Sequence, residues 1–121
     1  MYQAHYLGRT GEEAAVAYLQ NQGYVIVQQN WRYRRIEVDI IAETSQYVVF
    51  VEVKSRRNTL FKEPIQAVDA TKMRRLVLAA HAYVLKHRID KEVRFDVISV
   101  VSQANGFQIE HLPDAFVPPV E

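Results

Sequence analysis

Tyr47-Val48-Val49-Phe50-Val51-Glu52-Val53-Lys54 is the stretch on which the fold turns. It is almost unbroken in apolar and β-branched residues, the pattern of a central strand covered on both faces. Side chains alternate along a strand, so Glu52 and Lys54 share a face with Val48 and Phe50. A carboxylate on that face is costly to desolvate unless it is paired or binds a metal.

Just upstream, residues 36–41 read as another strand, with Ile36, Val38 and Ile40 on one face and Glu37 and Asp39 on the other. If the two strands run antiparallel side by side, Asp39 comes within a few ångströms of Glu52. The plain alternative is a solvated sheet face crossed by ion pairs, with Lys54 a simple counter-ion to Glu52. Two such strands together, and the apolar run ahead of Glu52, weigh against it.

Working outward, residues 24–27 read as a first strand, and residues 10–22 as a helix carrying Ala14, Ala15, Val16, Ala17 and Leu19. Thr10 and Glu13 have the spacing of a capping box, and Gly23 suits a left-handed stop. Alternatively the helix begins near Tyr2, with Gly8 and Gly11 inside it for close packing. Glu12 falls on the apolar stripe of Ala15, Val16 and Leu19. A functional acid and a helix-start acid favoured by the dipole both fit it.

Downstream, Pro64 opens a helical region to about Arg88, with Ala67, Val68, Met73, Leu76, Val77, Ala80, Val84 and Leu85 as its apolar face. Residues 95–101 form a further strand. Asn105-Gly106 signals a hairpin into a short last strand at residues 107–110. The order is helix, three strands, helix, two strands, which predicts an α/β fold: a mixed central sheet with helices on both faces. One domain over residues 1–112 is expected, followed by an extended, mobile tail over 113–121.

The chain has 121 residues, 49% hydrophobic and 24% charged, enough for one core without staples. It has no cysteine, which excludes disulfides, thiolate metal sites and a cysteine nucleophile. His5, His81, His87 and His111 are scattered, with no zinc-binding spacing, and read as packing or surface residues. No signal peptide opens the chain and no run approaches the roughly 20 apolar residues of a membrane helix, so a cytoplasmic protein with no membrane partner is expected. Net charge is only +1, but cations cluster at Arg32, Arg34 and Arg35, at Lys54, Arg56, Arg57 and Lys62, and at Lys72, Arg74 and Arg75.

Asp39, Glu52 and Lys54 together suit phosphoryl chemistry. Mg²⁺ prefers carboxylate oxygens and keeps some of its water. The ion polarises a phosphoryl oxygen and acidifies an attacking water. A lysine two residues after the glutamate can orient that water or stabilise charge growing on the phosphate.

The spacing of Asp39, Glu52 and Lys54 resembles the PD-(D/E)xK nuclease signature. The wider context is more specific: Gly8-Arg9-Thr10-Gly11-Glu12-Glu13-Ala14-Ala15, Asn30-Trp31-Arg32, Glu37-Val38-Asp39-Ile40-Ile41-Ala42, Val49-Phe50-Val51-Glu52-Val53-Lys54-Ser55-Arg56 and Arg94-Phe95-Asp96-Val97 occur in order. Together they closely resemble the uncharacterised YraN-like bacterial family, over most of the chain. The resemblance implies a three-layer restriction-endonuclease-like fold, related to archaeal Holliday-junction resolvases. It implies Asp39, Glu52 and Glu12 as metal ligands for Mg²⁺ or Mn²⁺, and Lys54 as the catalytic lysine. The family usually has glycine where this chain has Ile36, and Phe-Gly where it has Phe61-Lys62. Those changes bear on how a substrate or dimer partner fits and leave the metal residues intact.

The expected function is a metal-dependent nuclease that hydrolyses DNA phosphodiester bonds, at branched or repair intermediates. Arg9, Arg32, Arg34, Arg56 and Lys72 are the candidate phosphate contacts. A nucleic-acid partner is expected, DNA ahead of RNA. A homodimer and a repair or recombination protein partner are further expectations. The alternatives are a non-catalytic nucleic-acid-binding accessory module in recombination, repair or DNA uptake, and a protein-interaction domain on an inherited nuclease fold.

Overall fold

The computed structural model describes residues 2–4, 10–56, 69–104 and 106–116. The elements run β1 (Tyr2–Ala4), α1 (Gly11–Asn21), β2 (Val25–Tyr33), β3 (Ile36–Glu43), β4 (Tyr47–Arg56), α2 (Ala70–His87), β5 (Glu92–Gln103) and β6 (Gly106–Leu112). The six strands form one sheet in the order β1-β6-β5-β4-β3-β2. Among the described strands only β4 and β5 pair in parallel, from Tyr47↔Glu92 to Arg56↔Val101; the other neighbours are antiparallel. The parallel step follows from the intervening α2, because a crossover helix returns the chain to the same end of the sheet.

The expected order of elements holds, with β1 added at the sheet edge beyond β6. That strand rules out a helix starting near Tyr2. Helix α1 begins where the capping box places it: Thr10 Oγ1 accepts from the Glu13 amide, and Glu13 Oε1 accepts from the Thr10 amide. Gly11 packs tightly on β4, where an added Cβ would collide with the Ser55 hydroxyl. Gly23 takes φ +94 as the helix stops.

Each helix covers one face. Ala14, Ala15 and Leu19 of α1 pack on Ile40, Ala42, Val49, Val51, Ile98, Val100 and Ile109. Leu76, Ala79, Ala80 and Tyr83 of α2 pack on Val38, Ile41, Val48, Phe50, Phe95 and Val97. This is the three-layer α/β arrangement that the resemblance implies. Strand β4 sits at its centre: Val48, Phe50 and Glu52 face α2, while Val49 and Val51 face α1. Leu85, assigned to the α2 core face from spacing, is 65% exposed; Ala79 and Tyr83 take that place. Residues 64–68, expected to start this helix, lie outside the described residues, as does Asn105 of the hairpin signal.

The α1 face also holds a buried polar hub on β5. Asp96 is 1% exposed. It accepts from Arg94 at 2.9 and 3.0 Å and from the Asp114 amide at 3.0 Å, and bonds His111 Nε2 at 2.7 Å. Arg94 also donates to the Tyr24 hydroxyl, and His111 Nδ1 bonds the Tyr18 hydroxyl. One carboxylate thereby ties α1, the start of β2, β5 and β6 together. Burial pushes Asp96 up, but His111, Arg94 and the Asp114 amide outweigh it and hold its carboxyl below its ordinary value.

The segment after β6 differs from the expectation of a free tail. The Ala115 amide donates to the Phe95 carbonyl at 2.7 Å, and the Phe116 ring stacks on Phe95 at 4.9 Å. Phe116 is therefore a core residue, and residues 117–121 lie outside the described ones. Asp96→Ala should cost about 3–5 kcal/mol in chemical denaturation, since it strands the half-buried Arg94 guanidinium and leaves His111 and the Asp114 amide without their acceptor. A loss under about 1 kcal/mol would show that the hub does not hold the fold.

Candidate active site

The β3–β4 ladder runs from Glu43↔Val48 to Ile40↔Val51 and stops there. Asp39 and Glu52 stand just past its last rung. The Val53 amide, which the ladder no longer reaches, donates to Asp39 Oδ2 at 2.8 Å. On the other side of β3, the pairs Gln29↔Ile40 and Trp31↔Val38 flank Asn30, which has φ +51. Asn tolerates this left-handed conformation better than most residues.

This irregular rung corrects the simple alternation. Ile36 and Val38 pack with the α2 cluster, as do Trp31 and Tyr33 of β2. Ile40 and Ala42 belong to the α1 cluster, as does Ile26. Both strands change face at Asn30 and Asp39, so Ile40 does not share a face with Val38 as the period-two reading expected.

Glu52 is 3% exposed, which excludes the solvated-face alternative. Its Oε2 pairs with Lys72 Nζ at 3.1 Å, while Oε1 is buried with no hydrogen-bond partner among the described residues. Lys72 reaches it from the first turn of α2, where Asp69 caps the helix by accepting from the Lys72 amide at 2.8 Å. The counter-ion of Glu52 is thus Lys72, not Lys54. Lys54 is half-buried on the same face of β4, without an ion pair among the described residues.

Glu12 enters from α1 and accepts from Asn30 Nδ2 at 3.1 Å. Its carboxyl is raised, first by burial and then, against the Asn30 bond, by the charges of Asp39 and Glu37. Asp39 is pushed up to about 6, by burial first and then by the charge of Glu52, partly offset by the Val53 amide and Lys72. The structure therefore brings Glu12, Asp39 and Glu52 into one electrostatic neighbourhood, with Glu37 at its margin. The carboxylates do not converge fully: among the described residues no group of three Asp, Glu or His side chains stands at metal-binding spacing.

The donor set still fits a hard divalent ion. Two carboxylates are enough for Mg²⁺, which keeps several waters. Glu52 has a buried oxygen without a partner among the described residues, and Asp39 is raised by burial first and then by the charge of Glu52, a repulsion that a bound cation would remove.

The basic residues are dispersed around this centre. Arg56 Nε donates to Ser99 Oγ at 3.3 Å, and its Nη2 is buried without a partner among the described residues. Arg32 makes a long, exposed contact to Glu37 at 3.8 Å, and Arg34 lies over the Tyr33 ring in the β2–β3 turn. Arg9 and Lys62 fall outside the described residues. Sequence reasoning missed Asn30 as the partner of Glu12, although Asn30-Trp31-Arg32 was within the family pattern. It also missed the Asp96 hub, whose signal was an acid inside the apolar run of β5.

Residues 11–100 match the model of an uncharacterised protein family, UPF0102. A UPF0102 protein of Bacteroides thetaiotaomicron is 49% identical over 114 residues, 94% of each chain. Another from Porphyromonas gingivalis is 50% identical over 111 residues, 90% of this chain and 82% of its own. Among solved structures, Pyrococcus furiosus SfsA in complex with Ca²⁺ superposes with a TM-score of 0.37 at 15% identity, over 84% of this chain and 60% of that one.

The raised Asp39 has a pH signature in the metal-free protein. Protonation relieves first the cost of burying its charge and then the repulsion by Glu52, so its stabilising contribution is full below the ordinary value of 3.8 and is lost as pH rises through about 6. In EDTA at about pH 8, Asp39→Asn should therefore raise stability by on the order of 1–2 kcal/mol. The gain should shrink as pH falls through about 6 and vanish only below the ordinary value of 3.8, where the carboxyl is protonated in the unfolded chain as well. A variant less stable than wild type at the higher pH would show that Asp39 is not repelled in the folded state.

Proposed function

The chain belongs to the UPF0102 family, in the restriction-endonuclease-like superfamily, and we propose that it is a metal-dependent nuclease acting on DNA phosphodiester bonds at branched or repair intermediates. The observation that carries this reading is the Glu52 carboxylate: buried in the central strand, with one oxygen unpartnered among the described residues, beside an Asp39 raised by burial and by the charge of Glu52. A purely structural acid would be satisfied, as Asp96 is.

In this reading Asp39 and Glu52 would hold Mg²⁺ or Mn²⁺, with Glu12 reaching the ion or its water from α1. A bound ion would supply Lewis-acid polarisation of the phosphoryl oxygen and a more acidic water. Lys54, free of any ion pair among the described residues, would stabilise negative charge on the phosphoryl oxygens. Arg56, with an Nη2 unpartnered among the described residues, would hold a non-bridging oxygen, and Arg32 and Arg34 would meet neighbouring phosphates from the β2–β3 turn. Hydrolysis forms one P–O bond from water and breaks one ester P–O bond, and the leaving oxygen takes up a proton. DNA ahead of RNA, a homodimer and a recombination or repair partner belong to the same proposal.

A second reading is the non-catalytic nucleic-acid-binding module. It is favoured by the absence, among the described residues, of three acids at metal-binding spacing.

Labelled duplex, single-stranded, flap and four-way-junction DNA, with Mg²⁺, Mn²⁺ or EDTA, separate the two. The nuclease should cut only with metal, Glu52→Ala should fall to background, and Lys54→Ala should lose about 10²–10³-fold in rate. Binding without cutting that survives EDTA, weakens with salt and is unchanged in both variants would establish the accessory module instead.

A further inference from the structure

We propose that Lys72 is a placeholder on Glu52: its ammonium occupies the carboxylate until a divalent cation arrives, and then passes to a phosphate of the bound nucleic acid. This inference rests on the metal reading above. Three observations carry it. Glu52 is buried, and the cation paired with it is Lys72, 3.1 Å from Oε2. Lys54, on the same strand face, does not take that role. The Lys72 side chain is 40% exposed, whereas its backbone is fixed by the Asp69 cap, so the ammonium can swing away while α2 stays in place.

Electrostatics then couples the two ligands. An ammonium and a divalent ion compete for one carboxylate, so each lowers the affinity of the other by the same factor. A displaced Lys72 is left at the first turn of α2, within a side chain's length of the ion. A phosphate drawn to that ion replaces the lost carboxylate as its partner. Ion uptake therefore converts Lys72 from a structural counter-ion into a nucleic-acid contact.

The test uses the full chain with Mn²⁺ as probe, followed by calorimetry, and a duplex oligonucleotide as the nucleic acid. Lys72→Gln removes the charge but can still hydrogen-bond Glu52, which protects the fold; Lys72→Arg keeps the charge. Lys72→Gln should bind Mn²⁺ about three- to tenfold more tightly than wild type, the scale of one partly screened ion pair. With non-cleaving Ca²⁺ present, the same variant should bind DNA more weakly, with the salt slope reduced by about one. In EDTA the variant's loss of DNA affinity should be much smaller. Lys72→Arg should stay near wild type in each measurement. A lysine with a purely structural role would not move metal and DNA affinity in opposite directions. Mn²⁺ binding that Lys72→Gln fails to tighten, or a DNA defect equal with and without Ca²⁺, overturns this inference alone. A wild-type chain that takes up no Mn²⁺ overturns it together with the metal reading.

Discussion

The fold depends on a charge placed where a strand is covered on both sides. Glu52 follows Val48, Val49, Phe50 and Val51, all at most 1% exposed. An unpaired carboxylate at that depth would cost several kcal/mol. The surrounding structure is arranged to meet that cost. Strand β5 pairs along the whole of β4, so no backbone group on that side is left open. Strand β3 leaves β4 one rung earlier, which makes room for Glu52 and lets Asp39 cap the Val53 amide. Helix α2 begins with Lys72 over the carboxylate. Its later turns lay Leu76, Ala79 and Tyr83 on Val48 and Phe50.

Two aspartates, Asp96 buried and Asp39 half-buried, show how differently this sheet treats its acids. Asp96 is surrounded by donors, and its carboxyl is held below its ordinary value despite burial. Asp39 has one backbone donor and faces other carboxylates, and it is pushed up to about 6. The first is a satisfied network that joins four elements. The second is held against its own electrostatics, which the fold tolerates only because the rest of the core is well packed. The Asn30 backbone, at φ +51 within a strand, is part of the same local strain.

The parts of this that were legible in the sequence are the local ones. An apolar run broken by one acid locates β4 and singles out Glu52, and Thr10 with Glu13 fixes the start of α1. Residue-to-residue alternation failed at Ile40, because the crease at Asn30 and Asp39 changes the face of both strands and leaves no mark in a period-two pattern. Lys54 was the natural partner for Glu52 by proximity along the strand. Lys72 takes the pair because the first turn of a crossover helix folds back over the strand it left, a contact of twenty positions that spacing does not encode. The hub was hidden for the same reason: Arg94 and Asp96 are near neighbours, but Tyr18, Tyr24 and His111 reach them from distant parts of the sequence. His111, read as a packing or surface residue, is indeed packed, but as a hydrogen-bonded member of that hub.

The distribution of charge around the carboxylates gives the last step. Burial raises Glu12 and Asp39 first; the charges of Asp39 and Glu37 add to this at Glu12, those of Glu52 and Glu37 add to it at Asp39, and Lys72 partly offsets the rise at Asp39. Farther out lie Lys54 without a pair among the described residues, Arg56 with an unpartnered nitrogen, and Arg32 in a long, exposed contact. The centre is thus short of positive charge while its rim has positive charge to spare. Moving a rim cation inward would not correct this, because side chains on β4 and the β2–β3 turn are fixed by their strands. A small divalent ion corrects the centre, and a phosphate backbone laid across it answers the rim. Neither ligand alone balances both regions, which is the physical basis for reading the two as one site.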